Sequence, residues 1–301
     1  MKEIVVVSGK GGVGKTTVSA SLDLLFHKKG SAIVAADFDV DAPNLALVLE
    51  GKEENRESVS AAEIAVVDQE ECIGCGQCVE ICKFNAVEEA KPNNVIRIQD
   101  MFCEGCGVCA IICPANAISL RQVESGVIRT ISSKYGFPLV VGQLNIGRTA
   151  SGKIVSETRK RARELGDRIN ADFVIVDGPP GAGCPAIAAI SNADYVILVT
   201  EPTPAAKHDL ERIFTIVSHF GHPSGLILNN ADLYEPVRTG LLEFAKAYNI
   251  DLLGEIPVDN SIPISIANAV PVVEDQPNSP ASNALITIES NLRMCIAKSC
   301  I

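Results

Sequence analysis

The fold of this chain is decided by one stretch near its start, Ser8-Gly9-Lys10-Gly11-Gly12-Val13-Gly14-Lys15-Thr16-Thr17. It follows a β-branched apolar run, Ile4 to Val7, and it leads into a helical pattern that ends at about Lys28. A strand, a glycine-rich turn and a helix in this order predict a phosphate-binding loop, because backbone N–H groups and the helix N-terminus both point at a polyphosphate. Lys15 is expected to reach the β- and γ-phosphates, and the Thr16 hydroxyl is expected to ligate Mg²⁺.

Composition narrows the possible functions. The 301 residues carry a formal net charge of −11. This acidic balance argues against a general nucleic-acid binder, because phosphate backbones are held by an excess of Lys and Arg. We find neither a signal peptide nor an apolar run of bilayer length, which predicts a cytoplasmic protein that does not bind membranes. The eleven cysteines of such a protein indicate metal or redox use rather than disulfides.

A second lysine, Lys10, lies inside the loop, where ordinary phosphate binding needs only Lys15. The form Lys-Gly-Gly-x-Gly-Lys-Thr-Thr resembles the deviant phosphate loop of the MinD/ParA/Mrp/nitrogenase-iron-protein ATPases. In that family the extra lysine crosses a dimer interface and contacts the partner's nucleotide. The resemblance implies an ATP-dependent homodimer in which Lys10 acts in trans and Lys15 in cis.

Further motifs extend this resemblance along nearly the whole chain. Asp37-Phe38-Asp39 is similar to the family's first switch, and the apolar run that ends in Asp177 is similar to its Walker B strand. The resemblance implies that Asp39 orients the attacking water and that Asp37 and Asp177 support Mg²⁺. It also implies that Asn229 reads the adenine edge and that Pro257 packs against the base. The implied ATP site consists of Gly9, Lys10, Gly11, Gly12, Val13, Gly14, Lys15, Thr16, Thr17, Asp37, Asp39, Asp177, Asn229 and Pro257.

Two runs of four cysteines follow, Cys72-x-x-Cys75-x-x-Cys78-x-x-x-Cys82 and Cys103-x-x-Cys106-x-x-Cys109-x-x-x-Cys113. This spacing resembles that of a bacterial two-cluster ferredoxin, in which the fourth cysteine of each run ligates the other cluster. The resemblance implies two [4Fe–4S] clusters. Their implied ligands are Cys72, Cys75, Cys78 and Cys113 for one cluster, and Cys82, Cys103, Cys106 and Cys109 for the other.

Structural zinc is the alternative for these runs, because Cys₄ zinc sites also use Cys-x-x-Cys pairs. Zinc leaves the third and fourth cysteines of each run unexplained. One departure from the ferredoxin pattern is that the first run ends in Cys82-Lys83, whereas the second ends in Cys113-Pro114. Many ferredoxins have Cys-Pro at both places. Coordination does not depend on this proline, but the surroundings of the cluster do.

The predicted fold class is α/β, with a doubly wound, mostly parallel sheet of the P-loop type and an inserted ferredoxin-like α+β domain. The ATPase domain is expected over residues 1–65 and 122–301, and the insert over residues 66–121. So short an insert has little apolar core and is expected to need its clusters to fold. Residues 51–62 are polar and predict a linker, and the last helix is expected at about residues 281–297.

Some features keep more than one interpretation. The helix expected at residues 154–169 carries five basic residues, which fit either a DNA-binding patch or a solvated charged face. Cys184, shortly after the second switch, is either a buried small residue or a metal ligand at a dimer interface. Cys295 and Cys300 fit no motif.

Three functions fit the motifs together. The leading prediction is an ATP-hydrolysing homodimer whose cycle gates electron transfer through two [4Fe–4S] clusters to a redox partner protein. The first alternative is an assembly or carrier ATPase that passes a cluster or metal to a client protein, with Cys184 at the interface. The second alternative is a MinD/ParA-like positioning ATPase whose clusters are structural. Neither nucleic acid nor a membrane is an expected partner.

Overall fold

The computed structural model describes residues 1–90 and 95–298. The strands are β1 (Lys2–Ser8), β2 (Ile33–Asp37), β3 (Gly51–Val59), β4 (Ala62–Val67), β5 (Val87–Ala90), β6 (Val95–Ile98), β7 (Ile118–Val123), β8 (Gly126–Ser133), β9 (Pro138–Leu144), β10 (Phe173–Pro180), β11 (Tyr195–Thr200), β12 (Ser224–Leu228) and β13 (Asp251–Glu255). The helices are α1 (Lys15–Lys28), α2 (Leu45–Leu49), α3 (Gln77–Ile81), α4 (Val108–Ile111), α5 (Ser151–Ile169), α6 (Cys184–Ile190), α7 (Pro204–Phe220), α8 (Glu235–Ala247), α9 (Ser261–Ala267), α10 (Val272–Asp275) and α11 (Pro280–Lys298).

Nine of these strands form one sheet in the order β13-β12-β11-β1-β10-β2-β9-β8-β3. The pairs from β13 to β9 are parallel. Consecutive residues of β1, from Ile4 to Val7, are all fully buried, so both faces of the sheet are covered. The predicted α/β fold with a mostly parallel central sheet is confirmed. Its parallel strands end at one edge, which is where ligands bind in open sheets.

The chain divides into two compact units. Unit 1 comprises Met1–Arg56, Ile128–Gln143 and Ser151–Ile301, and unit 2 comprises Glu57–Val127 and Leu144–Ala150. The phosphate loop lies in unit 1, and both cysteine runs lie in unit 2. The predicted insert, residues 66–121, falls inside unit 2, and its bounds as a separately folding domain stay a prediction.

The core of unit 1 fixes the helix that follows the phosphate loop. Phe26 of α1 is fully buried, and its ring meets that of Phe173 edge to face at 4.9 Å between centroids. The Arg293 guanidinium of α11 lies 4.1 Å from the Phe26 ring centroid. A fully buried side chain of this size contributes about 1.5–3 kcal/mol. These contacts hold α1, and with it the loop at its start, against the sheet.

The predicted linker at residues 51–62 is wrong. Gly51–Val59 form β3 at the edge of the large sheet, and nearly all of their side chains are exposed. An edge strand that faces water on both sides shows no apolar alternation, so its sequence looks like a loop. Charged residues on such an edge also discourage pairing with a second chain.

Two of the basic residues of α5 bind a buried glutamate of unit 1, whereas Lys160 and Arg168 are exposed. Arg159 is buried; its Nε donates to Glu3 Oε1 at 2.7 Å, and its Nη1 donates to the Ala188 carbonyl at 2.6 Å. Arg163 Nε donates to Glu3 Oε2 at 2.9 Å. Since Glu3 is itself buried on β1, the two arginines neutralise it and tie α5 to β1 and α6. Arg159 therefore belongs neither to a solvated face nor to a DNA-binding patch.

Unit 2 has a small core. Its two antiparallel strand pairs are β4 with β7 and β5 with β6. The buried residues between them are Ala65, Cys78, Val87, Ile96, Cys109 and Ile118. Two of these six are cysteines, and four more cysteines pack against the cluster. Much of the interior of unit 2 is therefore made of the side chains that the sequence predicts as metal ligands.

No helix in the parts of the chain that the structure describes combines the length and the apolar character needed to cross a membrane. The last described helix, α11, matches the predicted position and packs on unit 1 through Leu285, Ile288 and Leu292, all fully buried.

Candidate functional site

The phosphate loop connects β1 to α1 and tolerates only glycine at two positions. Gly14 has φ +95°, and a Cβ there would lie 2.5 Å from the Asn229 amide nitrogen. A Cβ on Gly9 would lie 2.2 Å from the backbone of Asp209. At Gly9 the obstacle is backbone, so a larger residue would displace the chain. The loop thus lies against α7 on one side and Asn229 on the other, with buried Lys15 as the first residue of α1.

Two hydroxyl groups of α1 donate hydrogen bonds to the carboxylate of Asp177 in β10. Thr16 Oγ1 donates to Asp177 Oδ2 at 2.6 Å, and Ser19 Oγ donates to Asp177 Oδ1 at 3.1 Å. Asp177 lies in β10 opposite Val6 of β1, so the sheet register itself brings the carboxylate to the start of α1. The structure therefore places Thr16 and Asp177 together, as the sequence predicts.

The first switch is folded around Asp37. This residue ends β2 and lies opposite Asp177 in the sheet register. Its fully buried carboxylate accepts hydrogen bonds from the backbone N–H groups of Asp39, at 3.1 Å, and of Leu45, at 2.9 Å. Asp37 therefore fixes the segment that carries Asp39 and the start of α2.

Burial dominates the electrostatics of these carboxyl groups. It raises the pKa of Asp177, while the Thr16 hydroxyl and the Lys15 charge lower it. Burial and the neighbouring Asp177 raise the pKa of Asp37 well above its ordinary value. Burial also raises the pKa of Asp39 to about 6, although Lys15 opposes the shift. A divalent cation would relieve this crowding of negative charge, and hydroxyl and carboxylate oxygens are the ligands that Mg²⁺ prefers.

Sequence motifs missed Ser19 and Asp23. With Thr16 they lie at helical spacing on one face of α1. Asp23 is fully buried, and neither carboxylate oxygen has a hydrogen-bond partner in the described protein. Burial raises its pKa well above the ordinary value, and the charges of Asp177 and Asp37 raise it further. The spacing from Thr16 could have indicated Ser19, and an aspartate between Leu22 and Leu24 could have indicated Asp23.

Lys10 makes an ion pair within its own chain. Its Nζ lies 2.8 Å from Glu201 Oε1, and Glu201 directly follows β11, the neighbour of β1. No local pattern indicates this partner, because the two residues are 191 positions apart. The expected action of Lys10 on a second chain stays a prediction.

Asn229 and Pro257 follow the neighbouring parallel strands β12 and β13, which brings them to one edge of the sheet. The Asn229 amide group donates to the Val13 carbonyl at 3.0 Å, and its Oδ1 is buried without a partner in the described protein. A cavity of about 280 Å³ lies beside Thr16 and Thr17, between α1, α2 and α9. The loop, the two strand ends and this cavity all belong to unit 1.

In unit 2 the eight cysteines border two separate cavities. One is lined by the Cys72 set, which is Cys72, Cys75, Cys78 and Cys113. The other is lined by the Cys82 set, which is Cys82, Cys103, Cys106 and Cys109. In each set the fourth cysteine comes from the other run. The cavity volumes are about 20 Å³ for the Cys72 set and about 390 Å³ for the Cys82 set.

The third cysteine of each run is the most buried. Burial raises the pKa of the Cys78 and Cys109 thiols. A nearby cationic metal is what deprotonates such thiols, because coordination stabilises the thiolate. Within residues 1–90 and 95–298, no group of three His, Cys, Asp or Glu side chains is placed to hold a single metal ion.

The three remaining cysteines lie outside these sets. Cys184 is the first residue of α6 and is exposed, so its interpretation as a buried small residue is wrong. Cys295 packs against the core of unit 1, and burial raises the pKa of its thiol. Cys300 lies outside the described residues.

Comparison with known proteins identifies the family. The sequence profile of the CobQ/CobB/MinD/ParA nucleotide-binding domain matches residues 4–272. The chain belongs to this family. An uncharacterised protein of Methanocaldococcus jannaschii is 35% identical over 97% of this chain and 96% of its own length. An uncharacterised ATP-binding protein of the same organism is 26% identical over 96% of this chain and 86% of its own length.

Solved structures show the same fold. The cell division ATPase MinD of Pyrococcus furiosus superposes with a TM-score of 0.57 at 20% identity, covering 97% of this chain and 98% of that one. MinD of Pyrococcus horikoshii, complexed with Mg-ADP, gives a TM-score of 0.57 at 19% identity over 97% and 95%. The prediction of a MinD/ParA-type P-loop ATPase is confirmed. These comparisons favour the MinD/ParA-like alternative over gated electron transfer.

Proposed function

We propose that this member of the MinD/ParA family is a Mg²⁺-dependent ATPase that carries two [4Fe–4S] clusters in unit 2. The observation that carries the proposal is the exchange of cysteines between the runs: each cavity is bordered by three cysteines of one run and one of the other. Two-cluster ferredoxins share their ligands in this way. A Cys₄ zinc site needs only two Cys-x-x-Cys pairs around one ion, and it gives no reason for such an exchange.

The proposed ATP site uses the groups that the fold gathers in unit 1. The loop N–H groups and Lys15 hold the β- and γ-phosphates, Thr16 and Asp177 hold Mg²⁺, and Asp39 orients the attacking water. Mg²⁺ supplies charge neutralisation at the phosphates. Positioning and neutralisation are most of what phosphoryl transfer needs. The Mg-ADP complex of the Pyrococcus horikoshii relative supports this assignment.

The proposed adenine contacts rest on an unpaired acceptor. Asn229 Oδ1 is buried and has no partner in the described protein, while its amide nitrogen is already engaged by Val13. An amino group such as that of adenine would satisfy this oxygen, which otherwise costs about 1–3 kcal/mol. Pro257, at the end of the next strand, would pack against the ring.

We extend the proposal to an ATP-dependent homodimer in which Lys10 contacts the partner's nucleotide. The form of the loop supports this. Lys10 has to leave Glu201 to do so, and its side chain is 32% exposed in that ion pair while that of Glu201 is 16% exposed. A similar solved structure, from Aquifex aeolicus, is that of a MinC:MinD cell division protein complex. This complex supports a further protein partner for the present chain.

Electron transfer to a partner is a second candidate function, and one observation favours it. Cys75 of one set and Cys106 of the other are both exposed, so each proposed cluster has a cysteine at the surface. A cluster that only stabilises unit 2 has no need of this exposure. Midpoint potentials measured with and without MgATP separate the two roles: a shift supports gated electron transfer, and no shift supports structural clusters.

Iron content tests the main proposal. The full chain, purified anaerobically, is expected to hold about eight irons and equal amounts of sulfide. About ten irons, with roughly two lost to a chelator, would instead indicate a further cluster shared across a dimer, and would implicate Cys184 and a carrier function. Zinc without iron would contradict the proposal.

A pH series tests the environment of Asp39 in the nucleotide-free protein. Asp39→Asn is expected to raise the melting temperature at pH 8, and this gain should shrink as the pH falls through about 6 towards 4. The reason is that burial raises the pKa of Asp39 from 3.8 to about 6, so that its ionisation costs more free energy in the folded than in the unfolded state. A difference in melting temperature that stays constant over this range would contradict the expectation.

A further inference from the structure

Each of the two cysteine sets has one backbone N–H···S hydrogen bond that corresponds to a bond in the other set. The Ala86 N–H donates to Cys82 Sγ at 3.3 Å, and the Ala117 N–H donates to Cys113 Sγ at 3.3 Å. Each donor lies four residues after the last cysteine of its run, so these bonds reflect the internal repeat of unit 2. They give each set one backbone donor and do not distinguish the two sets.

One additional donor breaks this symmetry. The Ala65 N–H, on β4, donates to Cys103 Sγ at 3.4 Å. Of these three N–H···S bonds, the Cys82 set receives two and the Cys72 set receives one. An N–H directed at a ligand sulfur stabilises the negative charge that reduction adds to a cluster, and therefore raises its reduction potential.

Charge also distinguishes the two cavities. Lys83 and Glu104 line the cavity of the Cys82 set, and each follows a cysteine of that set in sequence. Among the described residues, the lining of the other cavity contains no charged side chain. A positive charge beside a cluster favours reduction, and a negative charge opposes it. Lys83 stands where the second run has Pro114, so the departure from the ferredoxin pattern places a charged side chain beside the Cys82 set.

We propose that the cluster on the Cys82 set has the higher reduction potential of the two, that the Ala65 N–H sets the difference, and that Lys83 offsets the opposing charge of Glu104. This inference rests on the proposed function, because it needs two clusters. At equilibrium, a single electron would then reside mainly on the cluster held by the Cys82 set. Lys83 acts through the cluster environment and is not a ligand.

The test is a redox titration of the anaerobically purified full chain, followed by the electron paramagnetic resonance of the reduced clusters. The wild-type protein is expected to show two unequal midpoints. Lys83→Met is expected to lower the higher midpoint, so that the ratio of the two reduced clusters at a fixed potential falls several-fold. A tenfold change in this ratio corresponds to about 59 mV for a one-electron step. Lys83→Arg is expected to keep the wild-type ratio.

Matched variants make the outcome specific. Glu104→Gln should move the same midpoint upwards, and Arg121→Met, which removes a charge on β7 that lines neither cavity, should move neither midpoint. A single wild-type midpoint, or a Lys83→Met effect confined to the lower midpoint, would overturn the inference while leaving the clusters in place. Absence of iron from the wild-type chain would overturn the proposed function itself.

Discussion

Lys15→Gln is expected to lower the kcat for ATP hydrolysis by about a hundredfold or more, since preorganised charge at a reacting phosphate commonly accounts for factors of this size. Lys15 is only 6% exposed and begins α1, so its ammonium group is held at the loop instead of moving in solvent. Glutamine keeps much of the volume and removes the charge. Phosphate release at saturating MgATP measures the effect.

The same helix supplies the control. Lys28 ends α1 and forms an exposed ion pair with Glu274, so Lys28→Gln should leave kcat within about twofold of the wild-type value. Both variants remove one positive charge from α1, so a general electrostatic effect of the helix would lower both rates. A Lys15→Gln protein that hydrolyses ATP at the wild-type rate would show that the loop is not the catalytic phosphate site.

The phosphate loop could be predicted because its signal is local. Glycine, lysine and threonine at fixed spacing, between an apolar strand and a helix, specify the site within ten residues. Asp37 and Asp177 could be predicted for the same reason, because each follows an apolar run typical of a buried parallel strand and such strands end at one edge. The structure adds that the two lie in register on adjacent strands.

The partners of these residues could not be predicted, because they come from distant parts of the chain. Glu201 meets Lys10 only through the pairing of β11 with β1, and nothing in the local sequence of either residue indicates the other. Asp23 lies inside a helix whose pattern is otherwise that of a buried core element, and a motif search does not inspect such positions. The edge strand β3 was missed because water on both of its faces removes the alternation on which strand prediction depends.

The two cysteine sets of unit 2 show both what the sequence can predict and what it cannot. Spacing within each run, compared with ferredoxins, predicts the same two sets of four cysteines that border the two cavities. Spacing could not indicate that the Cys82 set has the larger cavity and the additional Ala65 donor, because Ala65 reaches Cys103 across 38 residues through the folding of β4. The environment of a cluster depends on tertiary contacts, whereas the spacing of its ligands is a feature of the local sequence.

Replacing three cysteines together is expected to reveal which run supplies the fourth ligand. In a protein with Cys103→Ser, Cys106→Ser and Cys109→Ser, iron should fall from about eight to about four per chain, because one cubane has lost its three close ligands. In this background Cys82→Ser should leave the remaining iron in place, since Cys82 no longer has a cluster to bind. Cys113→Ser should remove it, because the Cys72 set takes its fourth sulfur from there.

Pairing within each run predicts the opposite result, with Cys82→Ser removing the remaining iron and Cys113→Ser leaving it in place. The two outcomes are measured in one background, so any loss of stability from the three serines affects both variants alike. The reciprocal background, with serine at positions 72, 75 and 78, should reverse the roles of Cys82 and Cys113. Cys184→Ser, outside both sets, should keep about eight irons. Because cysteines make up much of the small core of unit 2, each lost cluster should also lower the temperature at which this unit unfolds.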